Sequence, residues 1–129
     1  MAKIVLADGC FDILHLGHLL YLEEARRHGD LLVVGVTANA FVNKGPGKPL
    51  YDQLDRLRLV RSLRCVDHAF LAIDSLCSLK TVRPQVFAKG KEYEGNLVPE
   101  HEAYCRENGI EIRFTDTEYV RPLARLARS

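Results

Sequence analysis

Two histidines, His15 and His18, are the residues whose type and spacing point most directly to chemistry. They stand three residues apart at the predicted start of a helix, so both side chains can lie on one face of its first turn. A turn that contains glycine, residues 8–12, precedes them. Both imidazoles are therefore expected to face the same ligand, at the place where this turn meets the helix.

The residues on either side of this turn predict a strand, helix, strand unit. Residues 4–7 are an apolar strand, and apolar residues at helical spacing continue the following helix to His28. Gly29 ends that helix, because glycine is common just past the last helical turn. Residues 31–36 are apolar at both alternating positions, as expected of a strand that is covered on both faces.

Strand and helix signals alternate along the rest of the chain. A loop rich in glycine and proline is predicted at residues 44–49, and three further strands at 68–73, 86–88 and 110–114. Helices are predicted at residues 52–64, with Asp52 as the N-cap, and from Asp74 or Ser75, either of which could be the cap, to residue 82. Two more are predicted at residues 99–106 and from Arg121-Pro122 onward.

This alternation predicts an α/β fold with a Rossmann-like, doubly wound, five-stranded parallel sheet and helices on both faces. In such sheets, ligands bind beyond the carboxyl ends of the strands, where the strand order reverses. The turn at Gly9, the loop at Lys44, the turn at Lys89 and the segment before Arg121 all follow predicted strands. We therefore expect these four segments to meet at one edge of the sheet.

The composition predicts a single cytoplasmic domain spanning residues 1–129. At 47% hydrophobic residues the chain can bury a core, and its formal net charge of +1 argues against broad electrostatic capture of nucleic acid or an acidic membrane. No apolar run approaches the roughly 20 residues of a membrane span. The four cysteines show no CxxC pairing, which argues against a zinc or redox site and fits reduced thiols.

Residues 9–18, Gly-Cys-Phe-Asp-Ile-Leu-His-Leu-Gly-His, resemble the signature of the cytidylyltransferase-like nucleotidyltransferases, in which a HxGH tetrapeptide follows the first strand. Further blocks are similar to those of glycerol-3-phosphate cytidylyltransferases and of the adenylyltransferase domains of ADP-heptose synthases. These blocks are residues 43–49, 55–56, 63–67 and 89–95. The resemblance thus covers most of the chain.

The resemblance implies that a phosphorylated small molecule, such as a sugar 1-phosphate or glycerol 3-phosphate, attacks the α-phosphate of CTP or ATP and releases pyrophosphate. Mg²⁺ is expected to bridge the phosphate oxygens, and a homodimer is expected because dimers are common in the family. No covalent intermediate is needed, so the protein must position two anions and neutralise the developing charge. Cationic groups should therefore outnumber nucleophiles.

The same resemblance assigns roles around the histidines. His15 and His18 would be catalytic, donating hydrogen bonds to the α- and β-phosphate oxygens. Backbone N–H groups of the turn formed by Gly9, Cys10 and Phe11 would bind the nucleotide, helped by the partial positive charge at the helix start. Gly17 would let the triphosphate approach the backbone.

Further roles fall on residues outside the HxGH turn. Lys44 would be catalytic, because a lysine in a glycine-rich loop can move onto the phosphates and leave with pyrophosphate. Asp12 would support a histidine or the acceptor, and Arg56 would bind the acceptor phosphate, while the other arginines of its helix point outward. The remaining nucleotide-binding residues on this view are Lys48 behind Lys44, Lys89 and Gly90 at the nucleoside, Glu92, and Arg121.

Each assignment has a plainer alternative. Paired histidines at a helix start can simply cap the helix or be exposed, and loop lysines are commonly solvated. A zinc site would need third and fourth ligands, and no spacing supports them. The last helix departs from relatives, which carry a Ser/Thr block where this chain has Arg121-Pro122. A nucleotide-binding module with weakened or lost catalysis therefore stays open. An accessory domain that works beside a sugar kinase is a second alternative, because the heptose enzymes that the chain resembles fuse the two activities.

Overall fold

The computed structural model of the chain describes residues 1–116. The predicted last helix and Arg121 lie outside the described residues. Within residues 1–116, no helix has both the length and the apolar character that crossing a membrane requires.

In the described part of the chain, five parallel strands form one sheet: β1 (Ile4–Gly9), β2 (Leu31–Thr37), β3 (His68–Ala72), β4 (Val86–Lys89) and β5 (Glu111–Phe114). Their order is β3-β2-β1-β4-β5. The chain moves outward from β1 to β3 and then returns to the other side of β1, so the strand order reverses between β1 and β4. This confirms the predicted Rossmann-like sheet and puts the crevice for a ligand at the carboxyl ends of these two strands.

Four helices among residues 1–116 cover the two faces of the sheet: α1 (Leu16–Arg26), α2 (Gln53–Arg61), α3 (Ser75–Val82) and α4 (Pro99–Glu107). One core cluster joins the sheet to α1 and α2, through side chains such as Leu22 and Val60. A second cluster on the opposite face joins it to α3 and α4, through Leu79 and Cys105. Helices therefore lie on both faces, as the alternation of strand and helix signals predicts.

Aspartate side chains cap the start of α2 and of α3. The carboxylate of Asp52 accepts a hydrogen bond from the Leu54 N–H at 3.0 Å, and that of Asp74 accepts one from the Cys77 N–H at 2.7 Å. The sequence left Asp74 and Ser75 as alternative caps, and the structure selects Asp74. Two short 3₁₀ turns, Asn39–Phe41 and Lys91–Tyr93, were not predicted, because three residues are too few to show a helical period.

Candidate active site

A cavity of about 660 Å³ lies at the carboxyl ends of β1 and β4, where the strand order reverses. Ten residues with predicted catalytic or nucleotide-binding roles line it: Gly9, Cys10, Phe11, His15, Gly17, His18, Lys44, Lys89, Gly90 and Glu92. Five lining residues were missed by the sequence reasoning: Asp8, Tyr21, Lys91, Tyr93 and Thr115. Asp8 and Thr115 could have been found, since each stands at the carboxyl end of a strand, at the edge where ligands gather.

The two histidines begin α1 and close a reciprocal capping arrangement. Nδ1 of His15, the N-cap residue, accepts a hydrogen bond from the Gly17 N–H at 3.0 Å, and Nδ1 of His18 accepts one from the His15 N–H at 3.1 Å. The rings stack with centroids 3.9 Å apart. Because each Nδ1 is an acceptor, the proton of a neutral imidazole resides on Nε2, and Nε2 is the ring atom that can donate.

A buried aromatic ring supports this pair from below. Phe11 has φ +54°, an uncommon conformation for a residue with a side chain, and its ring is 3% exposed. The ring meets His18 edge-on with centroids 5.2 Å apart. It also leaves little room at Gly9, where an added Cβ would lie 3.1 Å from the Phe11 ring. The turn therefore supports the His18 imidazole through packing.

The floor of the cavity contains a buried ion pair. The register of β1 and β4 pairs Leu6 with Phe87, and two residues further along each strand the Lys89 Nζ lies 2.9 Å from the Asp8 Oδ1. Both side chains are about 10% exposed. The other carboxylate oxygen of Asp8 accepts a hydrogen bond from the Ser75 hydroxyl. The charge of Lys89 is therefore largely balanced within the protein, while its Nζ also lies 4.3 Å from the centroid of the Tyr93 ring.

Tyr21 of α1 joins the helix to both strands of the floor. Its hydroxyl donates a hydrogen bond to the Ala88 carbonyl at 2.6 Å and accepts a longer one from the Asp8 N–H at 3.4 Å. Burial, with a further contribution from the Asp8 charge, raises the pKa of Tyr21 well above its usual value. The phenol therefore stays protonated as a donor.

The rim of the cavity carries more exposed charges. Lys44 lines the cavity from its exposed loop, whereas Lys48 is exposed and is not among the lining residues. The Glu92 carboxylate folds back against Gly90, so that a Cβ at position 90 would require that carboxylate to move. Lysines 44, 89 and 91 outnumber the acidic lining residues, Asp8 and Glu92, which suits an anionic ligand.

Asp12 and Arg56, the two predicted acceptor-binding residues, lie outside the cavity lining. The carboxylate of Asp12 is turned to the backbone, where it accepts hydrogen bonds from the N–H groups of Leu50 at 2.7 Å and Tyr51 at 3.0 Å. Burial raises the pKa of Asp12, but these two hydrogen bonds stabilise the ionised carboxylate and lower the pKa. Together with the charge of Lys48 and, less, that of Arg56, they leave the pKa below its ordinary value.

Arg56 is 1% exposed, so its side chain is buried, unlike the outward-pointing side chains expected for the other arginines of this helix. Its Nε donates to the Tyr51 carbonyl at 2.8 Å, and its Nη1 donates to the carbonyls of Cys10 at 2.9 Å and Thr37 at 2.7 Å. Its Nη2 donates to Asn39 Oδ1 at 2.8 Å. The guanidinium is therefore turned into the protein.

Within residues 1–116, no three or more His, Cys, Asp or Glu side chains are grouped so that they could hold a metal ion. The carboxylates that line the cavity are those of Asp8 and Glu92. One or two carboxylates and several phosphate oxygens are what Mg²⁺ usually takes at a nucleotide site. The lining therefore fits a magnesium ion that arrives with a nucleotide.

The fold and the site together define a class of protein. The family described as Cytidylyltransferase-like matches residues 6–121 of the sequence, which is most of the chain. The chain therefore belongs to the cytidylyltransferase-like family, and its enzyme class is that of the nucleotidyltransferases.

Part of the chain is similar in sequence to known bacterial proteins. The chain is 43% identical over 100 residues to the bifunctional protein HldE of Aliarcobacter butzleri, a match that covers 74% of this chain and 21% of HldE. The corresponding protein of Nitratiruptor sp. is 42% identical over 100 residues, again covering 74% of this chain and 22% of the relative. The matched part is thus about a fifth of the length of these relatives.

Solved structures share the fold. A lipopolysaccharide core biosynthesis protein from Thermoplasma volcanium superposes with a TM-score of 0.76 at 31% identity, covering 93% of this chain and all of the other. Pantothenate synthetase from Thermus thermophilus has a TM-score of 0.62 at 20% identity, covering 95% of this chain and 58% of the other. At that identity the second comparison speaks to the fold alone.

Proposed function

We propose that this chain transfers a nucleotidyl group from ATP or CTP to the phosphate of a small phosphorylated sugar or polyol. The observation that carries the proposal is the stacked pair His15 and His18 at the first turn of α1, inside the cavity where the strand order reverses. A helix N-terminus, backbone N–H groups and imidazole donors at one place suit the phosphates of a nucleotide.

In the proposed reaction, an oxygen of the acceptor phosphate attacks the α-phosphorus. The bond from the α-phosphorus to the oxygen shared with the β-phosphate breaks, and pyrophosphate leaves with that electron pair. The protein contributes position and charge: Nε2 of His15 and His18 donates to oxygens whose negative charge grows, and Lys44 approaches from the rim. Mg²⁺, entering with the nucleotide, would neutralise phosphate charge. Glu92 is the lining carboxylate that would hold the ion, because the Asp8 carboxylate is paired with Lys89.

A sugar phosphate is the acceptor class that we favour. The HldE relatives and the Thermoplasma protein, whose description names lipopolysaccharide core biosynthesis, support it. The resemblance of residues 44–49 and 89–90 to the heptose-phosphate enzymes points the same way and favours ATP as the donor. Glycerol 3-phosphate with CTP is the second candidate, because residues 92–95 resemble the glycerol-phosphate enzymes.

The proposal is tested by measuring pyrophosphate release from each of ATP, CTP, GTP and UTP with a panel of phosphates. The panel includes a heptose 1-phosphate, a hexose 1-phosphate and glycerol 3-phosphate, each with Mg²⁺ and with excess chelator. We expect release with one nucleotide and one acceptor class, and only when Mg²⁺ is present. The same preparation of the His18→Ala variant controls for contaminating activity.

Two other outcomes would redirect the proposal. Calorimetric binding of ATP or CTP without pyrophosphate release from any pair would favour a nucleotide-binding module that has lost catalysis. Release that appears only when a sugar kinase is added would favour an accessory domain, an alternative suggested by the bifunctional description of the relatives. The expected homodimer is checked by the mass of the chain in solution.

A further inference from the structure

The carboxylate of Asp12 holds the end of the loop that carries Lys44. It binds the N–H groups of Leu50 and Tyr51, which are the last residues before α2 and its cap. The side chains of Leu50 and Tyr51 are 56% and 46% exposed, so burial contributes little to keeping this segment in place. Asp12, in contrast, is only 9% exposed, and its two oxygens each accept one of these hydrogen bonds.

The guanidinium of Arg56 holds the same segment from the other side. Four of its five N–H groups are used, one on the carbonyl of Tyr51 and two on the carbonyls of Cys10 and Thr37, with the fourth on Asn39. Tyr51 is thus fixed through its N–H by Asp12 and through its carbonyl by Arg56. A side chain that is 1% exposed and this fully engaged has no geometry for gripping a substrate phosphate.

Both side chains also act on the turn that aims the histidines. Arg56 binds the carbonyl of Cys10, and Asp12 is itself part of the turn. Phe11 lies between Cys10 and Asp12 in the sequence, and its buried ring contacts His18. A shift of the Cys10 carbonyl would therefore move the ring on which the imidazole rests.

We infer that Asp12 and Arg56 are positioning residues, which tie the end of the Lys44 loop to the histidine turn, and are not ligands of the acceptor phosphate. The catalytic part of this inference rests on the proposed function. Its structural part does not, because the hydrogen bonds to Leu50 and Tyr51 can be measured without substrate.

The structural test is amide hydrogen exchange, followed by NMR, in Asp12→Asn. Asparagine has nearly the same volume but can offer only one oxygen, so at least one of the two amides loses its acceptor. We expect Leu50 or Tyr51 N–H to exchange about 10-fold or more faster than in the wild-type chain. In Arg56→Lys, we expect the ring signals of His15 and His18 to shift, because the carbonyl of Cys10 loses its partner.

The catalytic test compares kcat and KM in the same variants. Misplacing a catalytic group by about 1 Å can lower a rate about 10²-fold, so we expect kcat to fall by up to that factor with the acceptor KM within about threefold. Asp55→Asn and Arg58→Lys, exposed positions of the same helix, are the matched controls and should leave both tests unchanged.

Two results would overturn the inference. One is a large rise in acceptor KM with kcat intact, which is the signature of a lost phosphate ligand. The other is unchanged exchange at both amides in Asp12→Asn. If the wild-type chain releases no pyrophosphate, the proposed function fails while amide exchange and the histidine signals still decide the positioning role. If Arg56→Lys does not fold, Asp12→Asn alone decides it.

Discussion

Two sides of the cavity are built in opposite ways: the wall formed by His15 and His18, and the floor that contains Asp8, Lys89 and Tyr21. The histidine wall is local: His15 and His18 cap the same helical turn, and the two side-chain hydrogen bonds of that cap span two and three residues. The floor is long-range: Lys89 and Asp8 are 81 residues apart, and Tyr21 reaches 67 residues to the Ala88 carbonyl. The wall forms with its helix, whereas the floor exists only once β1 and β4 are adjacent.

This difference separates chemistry from stability. A locally capped turn can lose one imidazole and keep its backbone, provided that the cap is replaced. A buried ion pair cannot lose one member without leaving an uncompensated charge in the protein. Substitutions in the histidine wall should therefore act mainly on turnover, and substitutions in the floor mainly on the free energy of unfolding.

The largest effect is expected when the ion pair of the floor is broken. Lys89→Met keeps the length of the side chain but leaves the Asp8 carboxylate buried beside the Ser75 hydroxyl alone. Breaking a buried pair costs about 3–5 kcal/mol, so we expect a loss of that order in the free energy of unfolding measured with urea.

A double variant sharpens this test. In Asp8→Asn/Lys89→Met the buried charge is gone, so we expect much of the lost stability to return. Lys80→Met, on the exposed face of α3, is the matched control and should change stability by less than about 1 kcal/mol. Asp8→Asn alone completes the comparison: if its loss of stability and that of Lys89→Met simply add in the double variant, the side chains are not coupled and the floor is not an ion pair in solution.

The same contrast explains what the sequence could and could not reveal. Features that depend on residues close together in the sequence could be predicted from local patterns. These are the HxGH turn, the apolar strands and the cap at Asp52. The partners of Arg56 come from segments up to 46 residues away, so helical periodicity alone could not predict that its side chain is buried. A buried guanidinium requires several hydrogen-bond acceptors around it. No local sequence pattern predicts that carbonyls from separate segments will lie close to the same arginine.

The pairing of Asp8 with Lys89 is a second feature that local sequence patterns could not predict. The prediction placed Lys89 on the nucleotide, and the structure does bring it to the cavity. It also pairs Lys89 with an acidic residue that was passed over at the end of β1. Which strand end lies beside which depends on the strand order, and the order follows from the packing of the whole sheet.

The next effect in size separates the two roles of His15. In His15→Asn the helix keeps a good N-cap, because asparagine is among the preferred residues there, while the imidazole is lost. We expect kcat to fall about 10²–10³-fold, the usual cost of removing one preorganised donor, with the free energy of unfolding at or above the wild-type value. Pyrophosphate release and urea unfolding of the same preparation measure both.

His15→Ala is the comparison variant for that experiment. It should lose kcat to the same extent and, in addition, about 0.5–2 kcal/mol of stability, because alanine does not cap. Near wild-type turnover in His15→Asn, together with a loss in His15→Ala, would mean that capping is the whole role of this histidine. The local wall would then be structural, and the contrast between the wall and the floor would fail.

The smallest effect concerns Tyr21, where α1 meets the floor. Tyr21→Phe removes the donor to the Ala88 carbonyl and should cost about 0.5–1.5 kcal/mol at neutral pH, with Tyr51→Phe, an exposed hydroxyl, as its control. The pKa of Tyr21 is raised in the folded chain, so above about pH 10 the unfolded chain releases the phenol proton while the folded chain keeps it. The unfolded state then binds fewer protons, and stability falls as pH rises.

Urea unfolding at a series of pH values from neutral to strongly alkaline measures this loss. For one proton the slope approaches about 1.4 kcal/mol per pH unit, and Tyr21→Phe should lack this contribution. Burial also raises the pKa of Cys105 to about 11, which adds an alkaline loss common to both proteins, so the difference between the two curves isolates Tyr21. Parallel curves would mean that the hydroxyl is solvated in the folded chain, and that α1 is not joined to the floor through it.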